Sequence, residues 1–191
     1  MLATILPVFF FFWAGSSRCN DFVTGAGVDR FFEGDPAPAE PFQELVSIKS
    51  ENAIGENGAK RLVPWLRNTN TDDYLVILCD PRMKSPELRE SVQALKGLNA
   101  DILSRMIIIN ADTPAENRRW MKKSSLEDIK IYSDEKLDWM RAYTALGEQR
   151  WSMTMFIIQD GRVAKLARDV AAVSVCRVVE NAIKSLNQLR L

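Results

Sequence analysis

The chain carries three cysteines, Cys19, Cys79 and Cys176, and no histidine. A thiol is a nucleophile or metal ligand only as the thiolate, so its surroundings decide what it can do. The absence of histidine excludes Ser-His-Asp and Cys-His catalysis and any His-containing zinc site. Three scattered thiols cannot complete a four-thiolate site, so no metal is expected. What remains is carboxylate, Lys/Arg or thiol chemistry, or no chemistry. Cys79 closes the apolar run Tyr74-Leu75-Val76-Ile77-Leu78-Cys79, directly before Asp80-Pro81. Open α/β sheets bind ligands beyond the carboxyl ends of their strands. A thiol there is a candidate nucleophile, and the alternative is a small buried core residue. Cys176 stands near the start of the last helical pattern, as a redox thiol or a packing residue.

Other chemistry-bearing groups are weaker. Asp72-Asp73 and Asp134-Glu135 read as loop or cap acids without the spacing of a metal cage. Gly25, Gly27 and Gly34 form no phosphate loop, since no Lys-Ser/Thr follows, and no cofactor is expected. Arg118-Arg119 and Lys122-Lys123 form a small basic cluster: a solvated helix face, or a dock for an acidic partner or anionic lipid. Lys+Arg 25 balances Asp+Glu 25, so a broad basic field for nucleic acid is not expected. Trp65, Trp120, Trp139 and Trp151 fall at core positions, with a ligand-stacking surface as the other reading.

These groups need a scaffold. Residues 74–79 and 105–110 (Arg105-Met106-Ile107-Ile108-Ile109-Asn110) read as buried central strands. Ser85 caps a helix opened by Pro86, with Leu88, Val92, Leu95 and Leu98 on one apolar face. Asp112-Thr113-Pro114 caps a second helix over 115–123. Residues 129–132 form a short strand, and Ser133-Asp134 starts a helix carrying Leu137, Met140 and Leu146. Thr154–Gln159 is a strand, Asp160-Gly161 a two-residue hairpin turn, and Val163–Ala167 the returning strand. A last helix runs from about Val173 to Leu189, with Val175, Val179, Ala182, Ile183 and Leu186 inward. Parallel strands joined by helices and closed by a hairpin and final helix describe an α/β, thioredoxin-like three-layer fold with a mixed central sheet.

The N-terminus differs in character. Leu2–Ala14 is apolar and followed by Gly15-Ser16-Ser17. It is shorter than the roughly twenty residues a bilayer span needs and suits a secretory signal. A membrane-surface anchor or the end of an organelle leader is the other reading. The expected divisions are a leader over 1–19, an extended acidic Gly/Pro-containing segment over 20–58, and a domain over 59–191 whose opening segment begins near 33. Membrane contact is expected only through the N-terminal segment, in a protein of the secretory pathway or an organelle lumen.

Taken in order, several pieces resemble one family. Glu33-Gly34-Asp35-Pro36-Ala37-Pro38 resembles the opening segment of peroxiredoxins, and Leu75–Pro81 their first central strand. Tyr132-Ser133-Asp134 through Gly147 resembles a later helix of the family, and Arg150–Met153 with Ile158–Val163 its final hairpin. Ser174-Val175-Cys176 with Asn181-Ala182-Ile183 resembles the C-terminal helix of the atypical two-Cys type. The resemblance covers residues 33–187. It implies a thiol peroxidase: a peroxidatic Cys at the first turn of the helix after the first strand, whose thiolate attacks peroxide, and a resolving thiol that closes a disulfide. Ser85 and Pro86 stand for the Thr and Pro of that motif, but Leu88 occupies the nucleophile position. Cys176 falls at the resolving position, and Arg150 stands for the family's Arg with a few extra residues of spacing. No C-x-x-C occurs, which excludes dithiol exchange of the thioredoxin kind. The expectation is a peroxiredoxin-like protein with a degenerate site, a binding or structural member of a larger assembly or a homo-oligomer. The alternative is a peroxidase working through Cys79 or Cys176, reduced by thioredoxin or glutathione.

Overall fold

A computed structural model describes residues 31–49, 52–62, 73–124, 129–146 and 152–188. Its mixed sheet contains β1 (Val46–Ser47), β2 (Leu75–Asp80), β3 (Met106–Asn110), β4 (Lys130–Ser133), β5 (Thr154–Gln159) and β6 (Arg162–Ala167), in the order β1-β4-β3-β2-β5-β6. β2, β3 and β4 are parallel neighbours; β5 lies antiparallel to β2, β6 to β5, and β1 to β4. Every residue of β2 and β3 is buried, as their unbroken apolar runs require of strands covered on both faces.

Strand parity divides the core into two layers. Val76 and Leu78 of β2, Met106 and Ile108 of β3, and Met155 and Ile157 of β5 face one side. There they meet Leu88, Val92 and Leu95 of α2 (Pro86–Leu95), Trp120 and Met121 of α4 (Pro114–Ser124), and Val175, Val179, Ile183 and Leu186 of α6 (Val175–Gln188). Leu75, Ile77 and Cys79, Ile107 and Ile109, and Phe156 and Ile158 face the other side. These pack against Phe42 and Leu45, Ala59 of α1 (Gly55–Leu62), and Trp139, Met140 and Tyr143 of α5 (Asp138–Ala142). The three-layer α/β expectation holds. Asp160 (φ 49°) and Gly161 (φ 70°) both take the left-handed conformation that a tight hairpin demands.

Four expectations need correction. Residues 31–58 are more than extended chain: Glu40–Glu44 form a 3-10 turn, Val46–Ser47 join the sheet, and α1 opens at Gly55, ahead of the expected boundary at 59. Phe42 and Leu45 drive this, since both are fully buried. α2 ends at Leu95, so Leu98 packs from the following turn, and a short α3 (Ala100–Ser104) capped by the Asn99 side chain intervenes. α5 starts at Asp138, not at Ser133, and stops before Leu146. Leu137 sits at φ 59°, and the Asp134 carboxylate accepts the N–H groups of Trp139 (3.4 Å) and Met140 (2.9 Å), so Asp134 caps the helix from a distance instead of beginning it. α6 starts at Val175, because Ala172–Ser174 form a 3-10 turn that leaves Val173 98 % exposed. The 1–19 segment with Cys19, and Trp65, Trp151 and Arg150, lie outside the described residues. No helix among the described residues is long and apolar enough to cross a membrane.

Candidate functional site

The carboxyl end of β2 delivers Asp80 into a loop that climbs to the N-terminus of α2. Pro81 ends the strand and Lys84 takes a left-handed φ of 53°, which turns the chain so that Ser85 caps the helix. Ser85 Oγ accepts the Leu88 N–H at 3.2 Å and donates to Asp80 Oδ2 at 2.6 Å. Arg82 closes over the same carboxylate: its Nε and backbone N–H reach Asp80 Oδ1 at 2.9 and 3.0 Å, and its Nη2 reaches Oδ2 at 2.7 Å. Asp80 is fully buried and receives four hydrogen bonds, about the full capacity of a carboxylate. The bidentate contact with Asp80 raises the Arg82 pKa. Arg82 Nη1 also pairs with Glu87 at 3.2 Å, and Glu87, favoured first by its own backbone N–H and then by Arg82, is held below the ordinary carboxylate range.

A second set of contacts ties this loop to the end of β3. Asp112, almost fully buried, accepts the Lys84 N–H at 2.6 Å and faces Arg89 Nη2 at 3.5 Å. Lys84 Nζ reaches Glu116 on α4 at 2.9 Å and lowers its pKa. Behind them Asn110 and Asn117 exchange amide hydrogen bonds at 2.8 Å in each direction, and Asn117 also donates to Ser133 Oγ at 2.9 Å. These bonds join the carboxyl ends of β3 and β4 to α4.

The helix N-terminus therefore presents capped and ion-paired groups. Leu88, which the sequence resemblance sets at the position of a nucleophile, is 2 % exposed and packs with Val92 and the β2–β3 apolar face. Ser85 is where expected, but both roles of its hydroxyl are spent on the cap and on Asp80.

The described thiols lie elsewhere. Cys79 is fully buried on the opposite sheet face from Leu88, and its Sγ donates to the Thr154 carbonyl at 3.4 Å. Burial first, and the nearby Asp80 charge second, push its pKa far above the ordinary thiol value. Cys176 is half-buried in the first turn of α6, against the α2 layer, and donates to the Ala94 carbonyl at 3.3 Å. Burial, then Glu180, raises its pKa as well. The two thiols are free and on opposite faces of the sheet, so no disulfide joins them within this fold. Trp120 and Trp139 are core residues, 8 % and 0 % exposed.

Sequence reasoning singled out Ser85 and missed its partners. Asp80-Pro81 reads as a strand stop and Asp112 as part of a helix cap, and Arg82 and Glu87 carry no motif of their own. The usable signal was an acid at the buried end of an apolar strand, followed two residues later by Arg. Such an acid needs a cation and a hydroxyl to be buried at all.

No family model and no curated protein sequence matches the chain. Solved structures do. A peroxiredoxin-like protein from Aquifex aeolicus superposes with a TM-score of 0.56 at 18% identity, over 81% of this chain and 90% of that one. Peroxiredoxin Q from Xanthomonas campestris gives 0.58 at 16%, over 78% and 94%. Peroxidoxin BcpB from Mycobacterium tuberculosis gives 0.58 at 14%, over 82% and 98%. The chain has a peroxiredoxin-like fold.

Proposed function

We propose that this chain keeps the peroxiredoxin-like scaffold without peroxide turnover and serves as a binding or structural member of a protein assembly. The observation that carries the reading is that Leu88, the residue the sequence resemblance sets at the nucleophile position, is an apolar side chain buried in the core. The Asp80–Arg82–Ser85 network supports it, because the buried Asp80 carboxylate beside the α2 N-terminus already receives four hydrogen bonds from within the chain. The test is peroxide consumption by the full chain, with hydrogen peroxide or an organic peroxide and dithiothreitol or thioredoxin as reductant. The expected rate equals the reductant background. Turnover that disappears in Cys79→Ser or Cys176→Ser overturns the reading. Cys176 is the residue that favours a second reading, a thiol oxidoreductase, since its sulfur is only half-buried. The apolar 2–14 run supports a place in the secretory pathway or an organelle lumen, and the N-terminal residue of the protein isolated from its cells tests that: retention of Leu2–Ala14 contradicts cleavage.

A further inference from the structure

β1 is only two residues long, and its partners on β4 are Tyr132 and Ser133. Lys130 and Ile131 at the start of β4 are paired to β3 on one side and, among the described residues, to no strand on the other. The chain leaves this edge for a physical reason. After Ser47 the Ile48 side chain turns into the core (7 % exposed), and its carbonyl is taken by Arg118 Nη1 at 2.7 Å. The departure opens a cleft of about 420 Å³ beside the bare edge, with an apolar floor of Ile48, Met121, Ile129 and Ile131. Lys49 and Lys130 stand on its walls. Lys122 lies one helical turn beyond Arg118, on the side of α4 that reaches Ile48.

Among the described residues no carboxylate lines this cleft. Lys49 and Lys122 are exposed and form no ion pair with a described residue, and among the described residues Lys130 donates only to the Ser104 carbonyl at 3.1 Å. An unpaired strand edge is a template for an added strand. Here it is flanked by cations that no described carboxylate pairs, and floored by aliphatic side chains. We propose that this cleft receives a short, extended, acidic segment of a partner protein, which adds beside β4 where β1 leaves off, with its apolar side chains on the Ile48–Ile131 floor and its carboxylates toward Lys49, Lys122 and Lys130. The proposal stands whether or not the α2 end of the molecule reacts with peroxide.

The probe is a fluorescein-labelled peptide of alternating Glu and Val, titrated with the full chain and read by fluorescence anisotropy. Binding should weaken with salt, and about tenfold in the double variant Lys49→Glu, Lys122→Glu. Lys184→Glu on α6, the same kind of charge reversal at another exposed site, should leave it unaltered. N-methylation of the peptide backbone should abolish binding, since an added strand needs its N–H groups. Both lysines are exposed, and an unchanged circular dichroism melt checks that the double variant is folded. Equal binding of a Lys/Val peptide, indifference to the double variant, or indifference to N-methylation overturns the proposal. So does a fall in oligomer size in the double variant, which would make the occupant a second copy. Lysine-dependent binding to phosphatidylserine vesicles without peptide binding would make it a lipid surface.

Discussion

Ser85→Ala is the sharpest probe of the β2–α2 loop. The hydroxyl is buried and serves two partners at once: it accepts the Leu88 N–H and donates to Asp80. Loss of a helix N-cap costs about 1 kcal/mol. Loss of a hydrogen bond to a buried charge costs about 1.5–3 kcal/mol, and the lower end applies because Asp80 keeps its three bonds from Arg82. The substitution should therefore destabilise the full chain by about 2–3 kcal/mol, read as a lower urea midpoint at unchanged slope. The reasoning also predicts non-additivity. In an Asp80→Asn background the same substitution removes a weaker, uncharged hydrogen bond, so it should cost less, with a coupling of about 1 kcal/mol. A loss below about 0.5 kcal/mol, the ordinary effect of a surface substitution, would refute the two-partner account. So would additivity within about 0.3 kcal/mol, which would mean that the Ser85–Asp80 bond contributes nothing to the folded state.

Two further outcomes follow from the ionisable groups. Burial raises the Asp134 pKa against the opposing pull of its cap bonds to Met140 and Trp139. The native state then holds this proton more tightly than the unfolded chain, so stability is highest below the ordinary Asp value of about 4 and falls as pH rises through the raised native value. Asp134→Asn keeps an acceptor for the cap, and its stability relative to wild type should improve with rising pH across that window; parallel pH profiles would show that Asp134 does not titrate differently in the fold. In a Cys19→Ser background, a chromogenic disulfide reagent near neutral pH should modify Cys176 slowly and Cys79 only after denaturation, since Cys176 is half-buried and Cys79 fully buried. Rapid modification of Cys79 in the native protein would contradict its placement.

The elements legible in the sequence were those in which one periodicity dominates. Residues 75–79 and 106–110 are unbroken apolar runs, and a strand buried on both faces needs nothing else. Ser85-Pro86 and Asp160-Gly161 carry their own local geometry, as a cap and a turn, and both appear as expected. What was not legible depends on distant partners. The 3-10 turn at Glu40–Glu44 exists because Phe42 fits edge-on against Trp139 and Tyr143, about a hundred residues away in sequence. The late start of α5 comes from Asp134 bonding forward to Trp139 and Met140, where the sequence showed only an Asp at a plausible first position. The Asp80–Arg82–Ser85 network was hidden because its members are individually common and only the burial of Asp80 makes them interdependent.

The thiols show how far parity alone could have gone. Side chains alternate across a strand, so Cys79 must share a face with Leu75 and Ile77, while Val76 and Leu78 share the other. The helix that follows β2 returns over the Val76–Leu78 face, because its apolar stripe of Leu88, Val92 and Leu95 packs there. A thiol at position 79 therefore points away from that helix, into the layer of Trp139 and Tyr143, whatever the details of the loop. Asp80, one residue on, takes the parity of Val76 and Leu78 and meets Ser85. A one-residue difference along β2 thus separates a group that reaches the α2 N-terminus from one that cannot, and the residue with the right parity is a carboxylate already neutralised by Arg82. Cys176 does share the α2 face, but at the other end of that helix: it meets Ala94, in the last turn, while Ser85 and Leu88 lie at the first. At about 1.5 Å of rise per residue, the nine positions from Ser85 to Ala94 place these groups about 13 Å apart along the axis. For Cys176 to act at the α2 N-terminus, α2 or α6 would have to leave the core, and that geometry rather than the cysteine count separates the two thiols from the site.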